Sequence, residues 1–350
     1  MRSRFLVAIS TLATSVGLQG EAACDQIRLP APVADDVLPI TFTTKNGWQY
    51  DGRIELPPVE RRRDWAVMML GGGLGGSIDW LVPGELTLDG NPTRDGDTIA
   101  RALLGEGFIV MRWHSIRRGD PLNAKDPLMM DAPPPPQAVE QAELAFEAFR
   151  SKGIVHEEHI FMLGHSLGAS RACTLLEEHR KLAGVVMLAG AALIPSDLDA
   201  ARDVVRQASA NPGNDGFKTL GFDNVHDWRV HRLQEIQDRW INDTAGTRNR
   251  WGHRWAADLV VENKTPTLLV VGALDERWLM ESYLFTIYLR EHKHPDYTWK
   301  VYERFGHNLA PEVAEAVTYK DQGKIASSRV GPIDPQVVKD VVEWIAKRAK

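Results

Sequence analysis

Cysteine is almost missing from this 350-residue chain: Cys24 and Cys173 are the only two. A supply that small excludes a disulfide framework as the source of stability. No excess of either charge is present, because 41 Lys+Arg against 47 Asp+Glu give a formal net charge of -6 and a pI near 6.0. That balance leaves no basic footprint for nucleic acid. Past the N-terminus no apolar run approaches the roughly 20 residues that a bilayer-spanning helix needs. Compositional bias is lacking too: 43% hydrophobic and 25% charged residues are ordinary for a globular protein and disfavour both disorder and a membrane bundle. A chain of this length can bury one large core or two modest ones.

The N-terminus stands apart. Arg2 and Arg4 precede the apolar run from Phe5 to Leu18, and the small residues Gly20, Ala22 and Ala23 follow. This is the layout of a secretory signal peptide. Cleavage after Ala22 puts Gly20 and Ala22 at the two positions that need small side chains, whereas cleavage after Ala23 would put Glu21 at one of them. Residues 1–22 are therefore expected to be an export signal, with the folded domain running from 25 to 350 and the protein secreted or periplasmic. An uncleaved anchor helix is the alternative, but the run is short and broken by Ser and Thr. Export would permit a Cys24–Cys173 disulfide. Against that, Cys173 lies about two helical turns past Ser166, where a buried core residue is expected. Lipidation of Cys24 is disfavoured because Glu21-Ala22-Ala23 lacks the usual aliphatic residue. Neither cysteine reads as catalytic.

Along the chain, residues 40–43 and 53–56 alternate apolar and polar around Lys45-Asn46-Gly47, as an antiparallel hairpin does. The run 66–70 (AVMML) is apolar throughout and fits a strand buried on both faces. Further apolar, buried strands are expected at 108–113, 159–163, 183–190 and 267–271, and another strand at 298–302. Helices are expected near 97–105, 137–152, 279–291 and 335–349, the last with Asp334 as its cap and Pro335 in its first turn. Pro133 to Pro136 read as a stiff polyproline loop. From about 195 to 262 the strand signal vanishes. There Trp228, Trp240, Trp251 and Trp255 are spread through polar, helix-like stretches. Strands alternating with helices imply a parallel sheet covered on both faces, with functional residues at the carboxyl ends of the strands.

The most informative stretch is Gly164-His165-Ser166-Leu167-Gly168, lying between a strand pattern and a helix pattern. A Gly-x-Ser-x-Gly turn in that setting is so tight that only minimal side chains fit beside the serine, whose hydroxyl is then pushed out at a helix N-terminus. Serine is a poor nucleophile and needs a base within hydrogen-bond reach. Of eleven histidines, His307 follows the strand 298–302 in Phe305-Gly306-His307-Asn308. An imidazole base needs a carboxylate to fix its tautomer. Asp275 follows the strand 267–271. Its bland alternative is a helix cap, with Glu276, Asp197 or Asp199 supplying the acid instead.

With the order Ser166, Asp275, His307, residues 40–194 and 263–350 resemble an α/β-hydrolase. The resemblance implies a mostly parallel sheet with helices on both faces and a helical cap insertion at 195–262. It implies Ser166 as nucleophile, His307 as general acid/base and Asp275 as the orienting acid. The oxyanion hole would use the backbone N–H of Leu167 and one from the loop after strand 66–70. Where many relatives carry His-Gly-x-Gly-Gly, this chain has Gly72-Gly73-Leu74-Gly75-Gly76, which makes Leu74 the second donor and puts Gly72 in place of the histidine. The same loop lacks the Lys-Ser/Thr ending of a phosphate-binding loop.

The remaining features read as bland. His292-Lys293-His294 is a polar helix end without companion metal ligands. The insert tryptophans are packing for a small cap, one or more of which could line the substrate pocket. The expectation is a secreted serine esterase that needs no cofactor or metal. Its partner would be a small-molecule ester, with no nucleic acid and no stable membrane span; oligomeric state stays open. A thioesterase or amidase with the same triad, a cofactor-free lyase or perhydrolase, and a non-catalytic binding protein on the same scaffold are the rivals.

Overall fold

The computed structural model describes residues 36–72, 77–82, 92–115, 135–190, 254–312 and 331–350. The expected export signal, Cys24, Leu74 and residues 195–253 of the expected cap lie outside them, as do Asp197 and Asp199.

Eight strands form one sheet: β1 (Val37–Thr43), β2 (Gln49–Glu55), β3 (Ala66–Leu70), β4 (Ile109–Trp113), β5 (Ile160–His165), β6 (Gly184–Leu188), β7 (Thr267–Gly272) and β8 (Tyr297–Tyr302). Their order is β1-β2-β4-β3-β5-β6-β7-β8. The first two pairings, β1 with β2 and β2 with β4, are antiparallel, and every other is parallel. The helices are α1 (Asp95–Gly105), α2 (Pro135–Arg150), α3 (Leu167–Thr174), α4 (Ala256–Asn263), α5 (Glu276–Glu291) and α6 (Pro335–Arg348). This is the α/β-hydrolase fold, with β5 leading directly into the helix behind the serine.

The apolar strands alternate their residues between two cores, as a period of two requires. In β3, Ala66, Met68 and Leu70 face α2, α3, α4 and α5, while Val67 and Met69 face α1 and α6. Ile160 and Met162 of β5 follow the first set, and Phe161 and Leu163 the second. A sheet buried on both faces explains why these strands read as continuous apolar runs.

Two expectations need correction. The helix α2 starts at Pro135, so the proline run is not all loop. Proline is tolerated in a first turn because the N–H groups there have no helical acceptor to lose. The end of the stretch 195–262 belongs to the main layer. Trp255, Ala256, Ala257, Leu259 and Val260 are buried, and α4 packs on α3 and α5. Cys173 is a free, buried thiol, as its place in α3 suggested, and burial pushes its pKa up to about 12. Asp334 caps α6, its Oδ1 accepting the Gln336 N–H at 2.7 Å.

Charge is also buried. The Arg112 side chain in β4 is 1% exposed and grips Glu55 with two hydrogen bonds, Nε to Oε2 at 2.7 Å and Nη2 to Oε1 at 2.8 Å. It also donates to Asp79 at 3.2 Å and Asp97 at 3.3 Å. Burial pulls its pKa down, but the hydrogen bond to Glu55 and the three carboxylates together hold it above the usual arginine value. Removing one partner of a buried pair leaves the others uncompensated. Arg112→Leu is expected to lower unfolding free energy by about 3–5 kcal/mol in urea titration. A loss below about 1 kcal/mol would mean that the grip is neutral.

His179, buried against the Phe146 ring, faces Glu143 at 3.3 Å, Glu147 at 3.8 Å and Glu157 at 3.4 Å. Burial alone would lower its pKa; the hydrogen bond to Glu143 and the charges of Glu143 and Glu157 outweigh it and raise the value. A raised folded value means the contribution is full just below the unfolded pKa of about 6.5 and is lost as pH climbs through the folded one. The thermal midpoint of wild type should therefore fall between pH 6 and pH 9 more than that of His179→Gln.

Candidate active site

The site is built at the carboxyl ends of β3, β5, β7 and β8. At the end of β5 the chain turns at Ser166, with φ 54° and ψ -123°, and enters α3. That backbone is one L-residues rarely adopt. Its neighbours hold it there: the Ser166 N–H donates to the Leu188 carbonyl at 2.9 Å, and its own carbonyl accepts from the Ala169 N–H at 3.0 Å. The glycines of the motif are required by close approach. A Cβ on Gly164 would lie 2.3 Å from the Gly168 oxygen, and one on Gly168 would lie 2.2 Å from the Leu70 oxygen at the end of β3. No side chain fits at either position.

The loop after β8 brings His307 to the serine. Its Nε2 lies 3.0 Å from Ser166 Oγ, and its Nδ1 lies 2.7 Å from Asp275 Oδ2. Asp275 occupies the N-cap position of α5, yet its side chain makes no cap hydrogen bond. The carboxylate is spent on His307 instead, which separates Asp275 from its helix-cap alternative. Its side chain is 9% exposed and that of His307 31%. The acid and base loops are joined through main-chain bonds, Ala273 N–H to Tyr302 O at 2.9 Å and Leu274 N–H to Phe305 O at 3.0 Å.

Leu167 is the first residue of α3, so its N–H has no acceptor within the helix and points out of the helix end beside Ser166. Leu74, the other expected oxyanion donor, is outside the described residues, but the loop that carries it starts against the serine. A Cβ on Gly72 would lie 2.8 Å from Ser166 Cβ and 3.1 Å from the His165 oxygen. A histidine at position 72 would collide with the elbow. Leu167 and Leu274, each next to a member of the constellation, are 39% and 40% exposed, giving the surface there an apolar character.

Two aromatic rings that the sequence did not single out meet the imidazole, and a third stands behind them. The His165 ring centroid is 5.2 Å from that of His307, Trp278 stacks on His307 at 6.0 Å, and Trp80 stacks on His165 at 5.8 Å. His165 Nε2 also lies 3.0 Å from the His307 main-chain oxygen. The only available signals were the adjacency of His165 to Ser166 and of Trp278 to Asp275. Neither reveals a contact with His307, which lies 142 residues beyond His165.

Among the described residues no group of His, Cys, Asp and Glu could hold a metal ion, and no helix is long and apolar enough to cross a membrane. No protein-family model and no curated protein matches the sequence. Solved structures do resemble it. An esterase of Pyrococcus furiosus is 13% identical over 90% of this chain and 92% of its own, with a TM-score of 0.46. A thermostable carboxyl esterase of Bacillus coagulans is 14% identical over 90% and 99%, with a TM-score of 0.47. An α/β hydrolase from a Penicillium species is 14% identical over 90% and 99%, with a TM-score of 0.45. The fold class itself follows from the chain's own strand order and from the turn at Ser166.

The strained turn has a measurable signature. Ser166→Gly should unfold at a free energy about 1–2 kcal/mol higher than Ser166→Ala, because only glycine relieves the positive φ and part of that gain is offset in the unfolded chain. Equal stabilities in denaturant titration would show that the turn carries no strain.

Proposed function

We propose that the protein is a serine hydrolase that cleaves carboxylic esters through an acyl-enzyme. One observation carries this: a continuous hydrogen-bonded line from Ser166 Oγ through His307 to Asp275, with separations of 3.0 and 2.7 Å, beside the N-terminus of α3. In the resting tautomer His307 Nδ1–H donates to Asp275 and Nε2 accepts the Ser166 hydroxyl proton. As Oγ adds to the ester carbonyl, that proton passes to Nε2, and the carboxylate of Asp275 stabilises the imidazolium. The carbonyl oxygen becomes an oxyanion held by the Leu167 N–H and, by resemblance, that of Leu74. Collapse breaks the C–O bond, and Nε2 returns the proton to the departing alkoxide. Water then repeats the sequence on the acyl-enzyme and frees the acid and Ser166.

Export belongs to the same reading: residues 1–22 are proposed to be removed, leaving Ala23 as the first residue of the secreted protein. Residues 195–253 are proposed as the cap that selects the substrate.

The test is covalent and kinetic together. A fluorophosphonate probe should label the wild type on Ser166, and Ser166→Ala should abolish both labelling and hydrolysis of a short-chain aryl ester while leaving folding intact. Asp275→Asn should lower kcat and the labelling rate together, by roughly 10⁴-fold, through the wrong imidazole tautomer. Full esterase activity in Ser166→Ala would overturn the mechanism. A thioester or amide turned over faster than the matched ester would reassign the leaving group.

A further inference from the structure

We propose that His165, the residue before the candidate nucleophile, is a positioning residue that clamps the base loop onto the elbow. The geometry is specific. His165 Nε2 is 3.0 Å from the main-chain oxygen of His307, a separation of 142 residues in sequence. A carbonyl oxygen only accepts, so His165 Nε2 carries the hydrogen and donates it. The elbow therefore meets the same histidine twice, Ser166 at the side-chain Nε2 and His165 at the backbone, and fixes both ends of the residue.

The clamp itself is held. Trp80 stacks on the His165 ring with 29° between planes, and Gly72 leaves room for it: a Cβ there would come within 3.3 Å of His165 Nδ1. The Trp80 segment is in turn tied down, because Asp79 is bonded by Arg53, Arg94 and Arg112, and its carbonyl accepts the Gly96 N–H at 2.9 Å. Trp278 also stacks on His307, with 21° between planes. Four rings form a chain of contacts, Trp80 to His165, His165 to His307 and His307 to Trp278, and the proposed base touches two of them. A misplacement of about 1 Å in such a group can cost about 10²-fold in rate, so one hydrogen bond that sets the base's backbone has kinetic weight. Without it, the loop from Phe305 onward still pairs with Leu274, a bond on the acid side of the site and not on the elbow.

The inference presupposes the serine-hydrolase reading, and a pair of near-isosteric variants tests it. His165→Gln keeps an N–H donor at comparable reach, and His165→Met has similar length without one. In His165→Met, kcat for an aryl ester and the rate of fluorophosphonate labelling should both fall about 10–100-fold, with KM changed less than about threefold and the protein still folding cooperatively. His165→Gln should recover to within about fivefold of wild type. A second readout needs no turnover: the downfield NMR proton of His307 Nδ1–H on Asp275 should be lost or broadened in His165→Met and kept in His165→Gln. Equal kinetics and equal proton spectra in the two variants would overturn the clamp. Should Ser166→Ala keep its activity, the hydrolase reading falls, and the proton signal alone then decides whether His165 orders His307.

Discussion

The structure depends on how closely the N-terminus of α3 approaches the ends of β3 and β5. With the Leu70 carbonyl only 2.2 Å from where a Cβ of Gly168 would stand, backbone meets backbone with no side chain between. That contact forces the turn at Ser166 into its positive φ, lifts the hydroxyl out of the sheet, and leaves the Leu167 N–H at an open helix end. The price is a strained residue in the middle of the fold, and the two cores above and below the sheet supply the stability that holds it.

Around that contact each loop is fixed in a different currency. The loop after β3 is held by charge, through Asp79 and the buried guanidinium of Arg112. The acid loop is held by the start of α5, and Asp275 shows the competition directly. A carboxylate at an N-cap ordinarily accepts from the helix backbone, but this one turns to His307 and leaves the cap bond unmade. An N-cap carboxylate diverted in this way has exchanged a local role for a long-range one.

Much of this was legible in the sequence, and the reason is periodicity and punctuation. Strands such as Ala66–Leu70 and Gly184–Leu188 are buried on both faces, so they appear as unbroken apolar runs with sharp ends. Ser166 and Asp275 sit just past such ends, His307 follows the half-buried strand Tyr297–Tyr302, and strand order places the three near one another. What was not legible is three-dimensional. Pro135 reads as a helix breaker unless its place in the first turn is known, and Trp255 reads as part of an insert until α4 is seen against α3. The tautomer of His165 and the stacking of Trp80 and Trp278 depend on contacts between distant segments that no local pattern encodes.

The way the base loop is attached has a consequence for divergence. Apart from the two side-chain bonds of His307, its bonds to the rest of the site run through main-chain groups: the His307 carbonyl to His165, the Phe305 carbonyl to Leu274, and the Tyr302 carbonyl to Ala273. Every residue type has a carbonyl, so those attachments do not themselves depend on which side chains stand at 302 and 305. Selection then falls on a handful of positions, the elbow glycines, His165 and the three-residue line, while the intervening sequence drifts. In a chain built this way, overall identity to any other protein is a poor measure of whether the site is intact.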